Sequence, residues 1–194
     1  MEGSAQSEDK RVERSKAKVL AETYRQLALN GISGVTIEGI SRHSGIPKTT
    51  IYRHWPSRSA LLIDACSRFG SVPEVPDVGS LQGDMRALLI DLAERLQTAN
   101  WNSVYPSIID AAERDSVIAS MQTAMQKSFM TPFEIVIERA RARGEISSRQ
   151  STDDLVAILV GPLFYQRWFS KQKIDSSFID TIIDLVIRST SDVG

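Results

Sequence analysis

Few residues of this chain could carry chemistry by type and spacing. Two histidines and one cysteine occur in 194 residues, namely His43, His54 and Cys66. They form no cluster with metal-ligand spacing, so neither a metal site nor a cofactor is expected. Cys66 sits in a helical stretch without a neighbouring histidine, which suits a small buried hydrophobe better than a redox sensor. There is no glycine-rich phosphate loop and no nucleophile elbow, and the carboxylates are spaced like solvated helix faces. No catalytic residue is therefore assigned. The chemistry that the side chains do support is recognition of phosphates and base edges. It is concentrated in residues 35–62, VTIEGISRHSGIPKTTIYRHWPSRSALL. There Lys48, Thr49, Thr50, Tyr52, Arg53 and His54 crowd hydroxyls and cations together, while Ile51 and Trp55 recur four residues apart as an inner face.

The elements that must hold these residues can be read locally. Thr36 is placed to N-cap a short helix through Ser44, with Val35 and Ile40 as its hydrophobic staple. Ile37 and Ile40 give that helix an apolar face, and Ser41 and Ser44 are small enough for a close crossing. Gly45 supplies the turn, and Ile46 plugs it. Pro47 or Lys48 opens a second helix to Trp55, where Pro56 and Ser57 break it. Two short helices joined by a tight glycine turn make a helix-turn-helix. Its second helix suits a major groove, with its first residues toward base edges and its hydroxyls and cations toward phosphates. Thr36, and Arg58 at the start of the next helix, are further phosphate-contact candidates.

Apolar residues recur at helical spacing along nearly the whole chain, which predicts an all-α fold with no strands. The expected organisation is a flexible tail over 1–10, a helix-turn-helix domain over 11–70, a linker over 71–83 and a helical domain over 84–194. The first helix is expected from about Arg11 to Asn30, stopped by Gly31, and the helix after Ser57 from Arg58 to Phe69. Later helices are expected at about 84–100, 106–114, 116–143, 152–170 and 176–189. Pro132 is expected to kink or split the third of these. No stretch is long and apolar enough to span a bilayer; the run Leu155 to Tyr165 is interrupted by Gly161 and Pro162. Residues 1–10 lack the apolar core of a signal peptide, and a single cysteine cannot form an intrachain disulfide, so a cytoplasmic setting is expected.

Net charge looks unpromising for a nucleic-acid binder: 23 Lys and Arg against 24 Asp and Glu. The distribution says otherwise. Residues 1–70 carry 11 basic against 7 acidic side chains, and residues 71–194 carry 12 against 17. A basic end joined to an acidic body confines attraction for phosphate to one end.

At this point the chain resembles the TetR family of transcriptional regulators. The segments that carry the likeness are Val35-Thr36-Ile37, Ile40-Ser41, Ser44-Gly45-Ile46-Pro47, Thr50-Ile51-Tyr52, His54-Trp55-Pro56-Ser57-Arg58 and Ala60-Leu61-Leu62. Including the preceding helix, the match covers roughly residues 11–65. Arg143-Gly144-Glu145-Ile146, with Gly161-Pro162-Leu163, Tyr165 and Arg167, is similar to one C-terminal subtype. The chain departs from the pattern where the family often has alanine (Ser41, Ser44), glycine (Thr49) and phenylalanine (Trp55). Thr49 adds a side chain at the start of the recognition helix, so operator preference does not transfer from a relative.

The resemblance implies a homodimeric repressor that binds a double-stranded DNA operator and is released by a small-molecule effector. DNA contacts would then fall to Thr36, Lys48, Thr49, Thr50, Tyr52, Arg53, His54 and Arg58. It also implies a ligand pocket in the helical domain, with Trp101, Tyr105, Met121, Met125, Phe129, Phe133, Phe164 and Trp168 as candidate lining; the same spacing also fits plain core. Leu155, Ile158, Leu159, Leu163, Ile182, Ile183, Val186 and Ile187 make the wide apolar faces expected of a dimer interface, or of packing within one subunit. The readings left beside a regulator are a ligand-independent architectural DNA binder and, against the absence of any catalytic constellation, an all-helical enzyme.

Overall fold

Helix-forming residues dominate the chain, and glycine, proline and serine punctuate it. A computed structural model describes residues 2–67, 73–147 and 149–190, with side chains described outside 2–9, 67, 99, 100, 102 and 103. The described residues contain no strand. The helices are α1 (Glu2–Asn30), α2 (Ile37–Ser44), α3 (Lys48–His54), α4 (Arg58–Ser67), α5 (Leu81–Gln97), α6 (Ala99–Ala112), α7 (Ser116–Ala142), α8 (Thr152–Phe164) and α9 (Ser176–Thr190). A 3-10 turn at Ile32–Gly34 follows α1, and a π-helical turn at Tyr165–Phe169 extends α8.

Contacts group the chain into two compact units, Met1–Ser71 with Ala99–Met125, and Val72–Thr98 with Gln126–Gly194. In the first, α1 packs against α2, α3, α4 and α6. Leu27, Ile40, Ile51, Leu61 and Leu62 are wholly buried there. Each such side chain contributes about 1.5–3 kcal/mol by leaving water. Gly31 ends α1 in the left-handed region at φ 64°, and a Cβ there would stand only 3.0 Å from the Ser107 Cβ. Ser107 Oγ accepts a bond from the Ile32 amide at 3.2 Å, so α6 fastens the turn after α1.

In the second unit α5, α8 and α9 pack on one another. Leu81, Met85, Leu155, Leu159, Ile183 and Val186 converge there. Ser80 caps α5 by accepting from the Gly83 amide, and Ser151 caps α8 by accepting from the Asp154 amide. The residues ahead of α5 are tied down: Arg139 donates to the Pro76 carbonyl at 3.2 Å, and the buried Asp84 accepts from the Val78 amide at 2.7 Å.

Several boundaries differ from the sequence expectation. Backbone over 2–10, expected as a tail, is helical from Glu2 and continuous with α1. The reason is local: apart from Gly3, EGSAQSEDKRVER holds no helix breaker and several strong helix formers. The residues expected to complete α4 as far as Phe69 lie outside those described. Helix α5 starts at Leu81 rather than 84, because Ser80 is the cap. Helix α6 starts at Ala99 and runs through Pro106, which was expected to open it. Nor does Pro132 split α7, which is one helix from Ser116 to Ala142 with this proline buried inside it.

Candidate nucleic-acid interface

The helix-turn-helix is built as its residue types dictate. Thr36 Oγ1 accepts from the Gly39 amide at 3.0 Å, the N-cap geometry of α2. Gly45 C-caps α2 at φ 72°, a conformation that favours glycine. The two serines do more than keep the crossing narrow. Ser41 Oγ donates to the Ile46 carbonyl at 2.8 Å, and Ser44 Oγ accepts from the Ile46 amide at 3.2 Å. Alanine at either position would leave the turn without its bond.

Helix α3 is anchored from behind. Ile51 is fully buried, Trp55 is buried, and the Trp55 indole N–H donates to Asp64 at 2.8 Å, joining the end of α3 to α4. This leaves Lys48, Thr49, Tyr52 and Arg53 exposed, with Thr50 and His54 half-buried at the edges. Lys48 is not idle: its ammonium meets Glu38 of α2 at 2.5 Å. Burial, then the positive charges of Lys16 and Arg53, lowers the His54 pKa and favours neutral imidazole, with Glu13 opposing.

Arg58 has a different place from the other candidates. Its guanidinium turns inward and donates to the carbonyls of Val35, at 2.7 Å, and of Ile32. It holds the entry to α2, a task that a sequence pattern for phosphate binding does not reveal. Conversely, Arg11, Arg14 and Lys18 of α1 stand across a cleft of about 900 Å³ from Pro47, Thr50, Arg53 and His54. Their spacing, three and four residues apart on one helix, was the available signal for them.

Glu22 stitches α1 to α2. It accepts from Arg25 at 2.8 and 2.7 Å and from Gln26 at 2.8 Å, and lies 3.7 Å from His43. The Arg25 hydrogen bonds, against the opposing effect of burial and with help from Gln26, bring its pKa from 4.5 to about 2. The folded form therefore binds the proton later than the unfolded form. Glu22 stabilises the fold above pH 4.5, and that contribution is lost as pH falls toward 2. Thermal melts of Glu22→Gln across that range should show a shallower acid decline than those of the parent; parallel declines would refute the assignment.

The other candidates are distributed as follows. Trp101, Tyr105 and Met121 are buried and Met125 half-buried in the first unit, with the Trp101 and Tyr105 rings 5.0 Å apart. Phe129 and Phe133 are buried in the second unit, and Phe164 and Trp168 stack at 5.1 Å. Of the expected dimer face, Leu155, Leu159, Leu163, Ile182, Ile183 and Val186 are buried within the single chain; Ile187 is half-buried and Ile158 is 56% exposed. Besides Ile158, the exposed large apolar side chains on these elements are Tyr165, Phe169 and Leu185, none of them expected at the interface. Cys66 is buried, and burial pushes its thiol up to about 12, which makes it inert.

The helix-turn-helix and the helical remainder both match family models. Residues 19–65 match "Bacterial regulatory proteins, tetR family", and residues 75–186 match "Tetracyclin repressor-like, C-terminal domain". The chain belongs to the TetR family. As a TetR-family protein it is a DNA-binding transcriptional regulator, not an enzyme. The regulator AqdR of Rhodococcus erythropolis is 29% identical over 84% of this chain and 79% of its own. A DNA-binding transcriptional repressor of Mycobacteroides abscessus is 26% identical over 91% and 94%. Among solved structures, a transcriptional regulator from Saccharomonospora viridis in complex with choline superposes with a TM-score of 0.65 at 17% identity, covering 91% of this chain and 96% of that one. No helix among the described residues is long and apolar enough to cross a membrane.

Proposed function

We propose that this TetR-family regulator is a homodimeric repressor that a small molecule releases from its operator. The observation that carries the DNA half is the presentation of α3: Ile51 and Trp55 hold it from behind while Lys48, Thr49, Tyr52 and Arg53 face outward. A helix so held can lie in a major groove with its side chains already ordered. Repression is favoured by the printed name of the M. abscessus relative. Dimerisation is favoured by exposed Ile158 and Leu185 on α8 and α9, apolar surface that a second copy would cover about a two-fold axis. The choline complex supports a ligand inside a fold of this kind. Such a ligand acts only through different affinities for the DNA-bound and free states.

Footprinting of genomic fragments with purified protein locates the operator, and addition of metabolite pools tests release. On that operator Tyr52→Phe is expected to weaken binding roughly five- to tenfold, the worth of one phosphate hydrogen bond. Lys48→Ala is expected to make the dependence of log affinity on log salt shallower by about 0.9 per protomer. Wild-type affinity in both variants would remove α3 from the interface.

A further inference from the structure

Helix α3 carries two full positive charges, Lys48 at its first residue and Arg53 in its last turn. Among the described residues, Lys48 is the one of these two that meets a carboxylate within ion-pair distance, that of Glu38 in the first turn of α2, at 2.5 Å. The two side chains remain 49% and 58% exposed, so the pair stands on the surface that α3 presents and not inside the helix crossing. Most other ion pairs in the first unit link residues three or four apart on one helix, as Lys16 with Glu13, Arg25 with Glu22 and Arg114 with Asp110. This one spans ten residues and joins two helices. A carboxylate in the first turn of α2 is explained by the helix dipole alone, but the direction of its side chain is not. The Glu38 carboxyl is held below its ordinary range first by the Lys48 hydrogen bond and then by its own backbone amide. Nor does the crossing need the pair. Ile40 and Ile51 are fully buried, the Ser41 and Ser44 bonds to Ile46 close the turn, and an exposed ion pair adds little to stability.

We propose that Glu38 is a positioning residue for DNA binding, one that acts on Lys48 as an internal competitor for the phosphate. The inference rests on the DNA-binding reading of α3 and deepens it by naming what sets the strength of that helix's first contact. A carboxylate oxygen and a phosphate oxygen are the same kind of partner for an ammonium, anionic acceptors of a charge-assisted hydrogen bond. In the free protein Glu38 occupies the place on Lys48 that a phosphate oxygen takes on binding. Lys48 must leave one for the other, and the carboxylate it leaves then faces the duplex unpaired. The gain from Lys48 is therefore the difference between two ion pairs and not the whole of one. Both effects subtract from affinity for operator and for unrelated duplex alike, because neither depends on a base.

The test uses the full chain with Glu38→Gln, with Lys48→Ala and with the two combined, titrated on the operator and on an unrelated duplex of equal length. Glu38→Gln keeps the shape of the side chain and removes its charge, and its melting curve should stay close to the parent's. It should tighten binding to both duplexes roughly 1.5- to fivefold for each protomer bound, the range that one exposed ion pair is worth. The gain should be largest at low salt and shrink as salt screens the pair, so the salt dependence becomes steeper. In the Lys48→Ala background the same change should lose most of its effect, which a double-mutant cycle reads directly. An equal gain in both backgrounds would overturn the proposal, with Glu38 then acting only through the general field of the surface. Unchanged or weaker operator binding in Glu38→Gln, while Lys48→Ala keeps its defect, would also overturn it and leave the DNA reading standing. If Lys48→Ala and Tyr52→Phe are both without effect, it is the DNA reading of α3 that fails.

Discussion

Trp55→Ala is expected to abolish operator binding and to destabilise the unit that carries it by about 3–5 kcal/mol, the usual cost of truncating a buried large aromatic residue. Trp55 closes α3, is buried, and donates its indole N–H to Asp64. Truncation opens a cavity and leaves the Asp64 carboxylate without that donor. Helix α3 is seven residues long, too short to persist unless tertiary contacts hold it. Operator binding should therefore fail together with thermal stability. Trp55→Phe separates the two contributions: the ring remains, the N–H does not, and the loss should be about 1 kcal/mol. Melting curves and operator titrations of the two variants check this, and a parent-like melt for Trp55→Ala would refute the anchoring role.

Phe133→Ala is expected to have a comparable effect in the second unit. Phe133 is 1% exposed, although sequence alone left it between pocket lining and core. A core phenylalanine costs about 3–5 kcal/mol when reduced to alanine, because its surroundings close only partly over the space left. A phenylalanine facing an open cavity would cost much less. Phe169 supplies the contrast, since it is 76% exposed in the π-helical turn and its truncation should stay within about 0.5 kcal/mol. Chemical denaturation of the two variants, compared at the same denaturant slope, decides between core and cavity for Phe133.

The helix-turn-helix was legible because its signals are local. Thr36, Gly45, Pro47, Ile51 and Trp55 each fix a cap, a turn or a buried face within a few residues of themselves, and the structure places each in that role. Pro106 misled for the opposite reason. It sits inside a helix that surrounding packing sustains, and the spacing Trp101, Val104, Tyr105, Ile108 continues straight through it. Arg58 could not be oriented from sequence, because the carbonyls it reaches lie 23 and 26 residues away. The apolar faces of α8 and α9 were visible in the sequence, but a stripe does not reveal what covers it. Six of the eight side chains expected at an interface serve the core of a single chain.

The grouping of α6 with α1–α4 bears on how such a protein can be taken apart. The chain passes between its two units three times, after residues 71, 98 and 125. A reader excised at the linker would lose Ser107 as acceptor for the Ile32 amide, along with the α6 surface that packs on α1. Severing the chain there would give a fragment with a raw side instead of an interchangeable module. Grafting this reader onto a foreign sensor would have to carry α6 and the first turns of α7 along with it. Recombination at one point in the gene would break what a single cut appears to preserve.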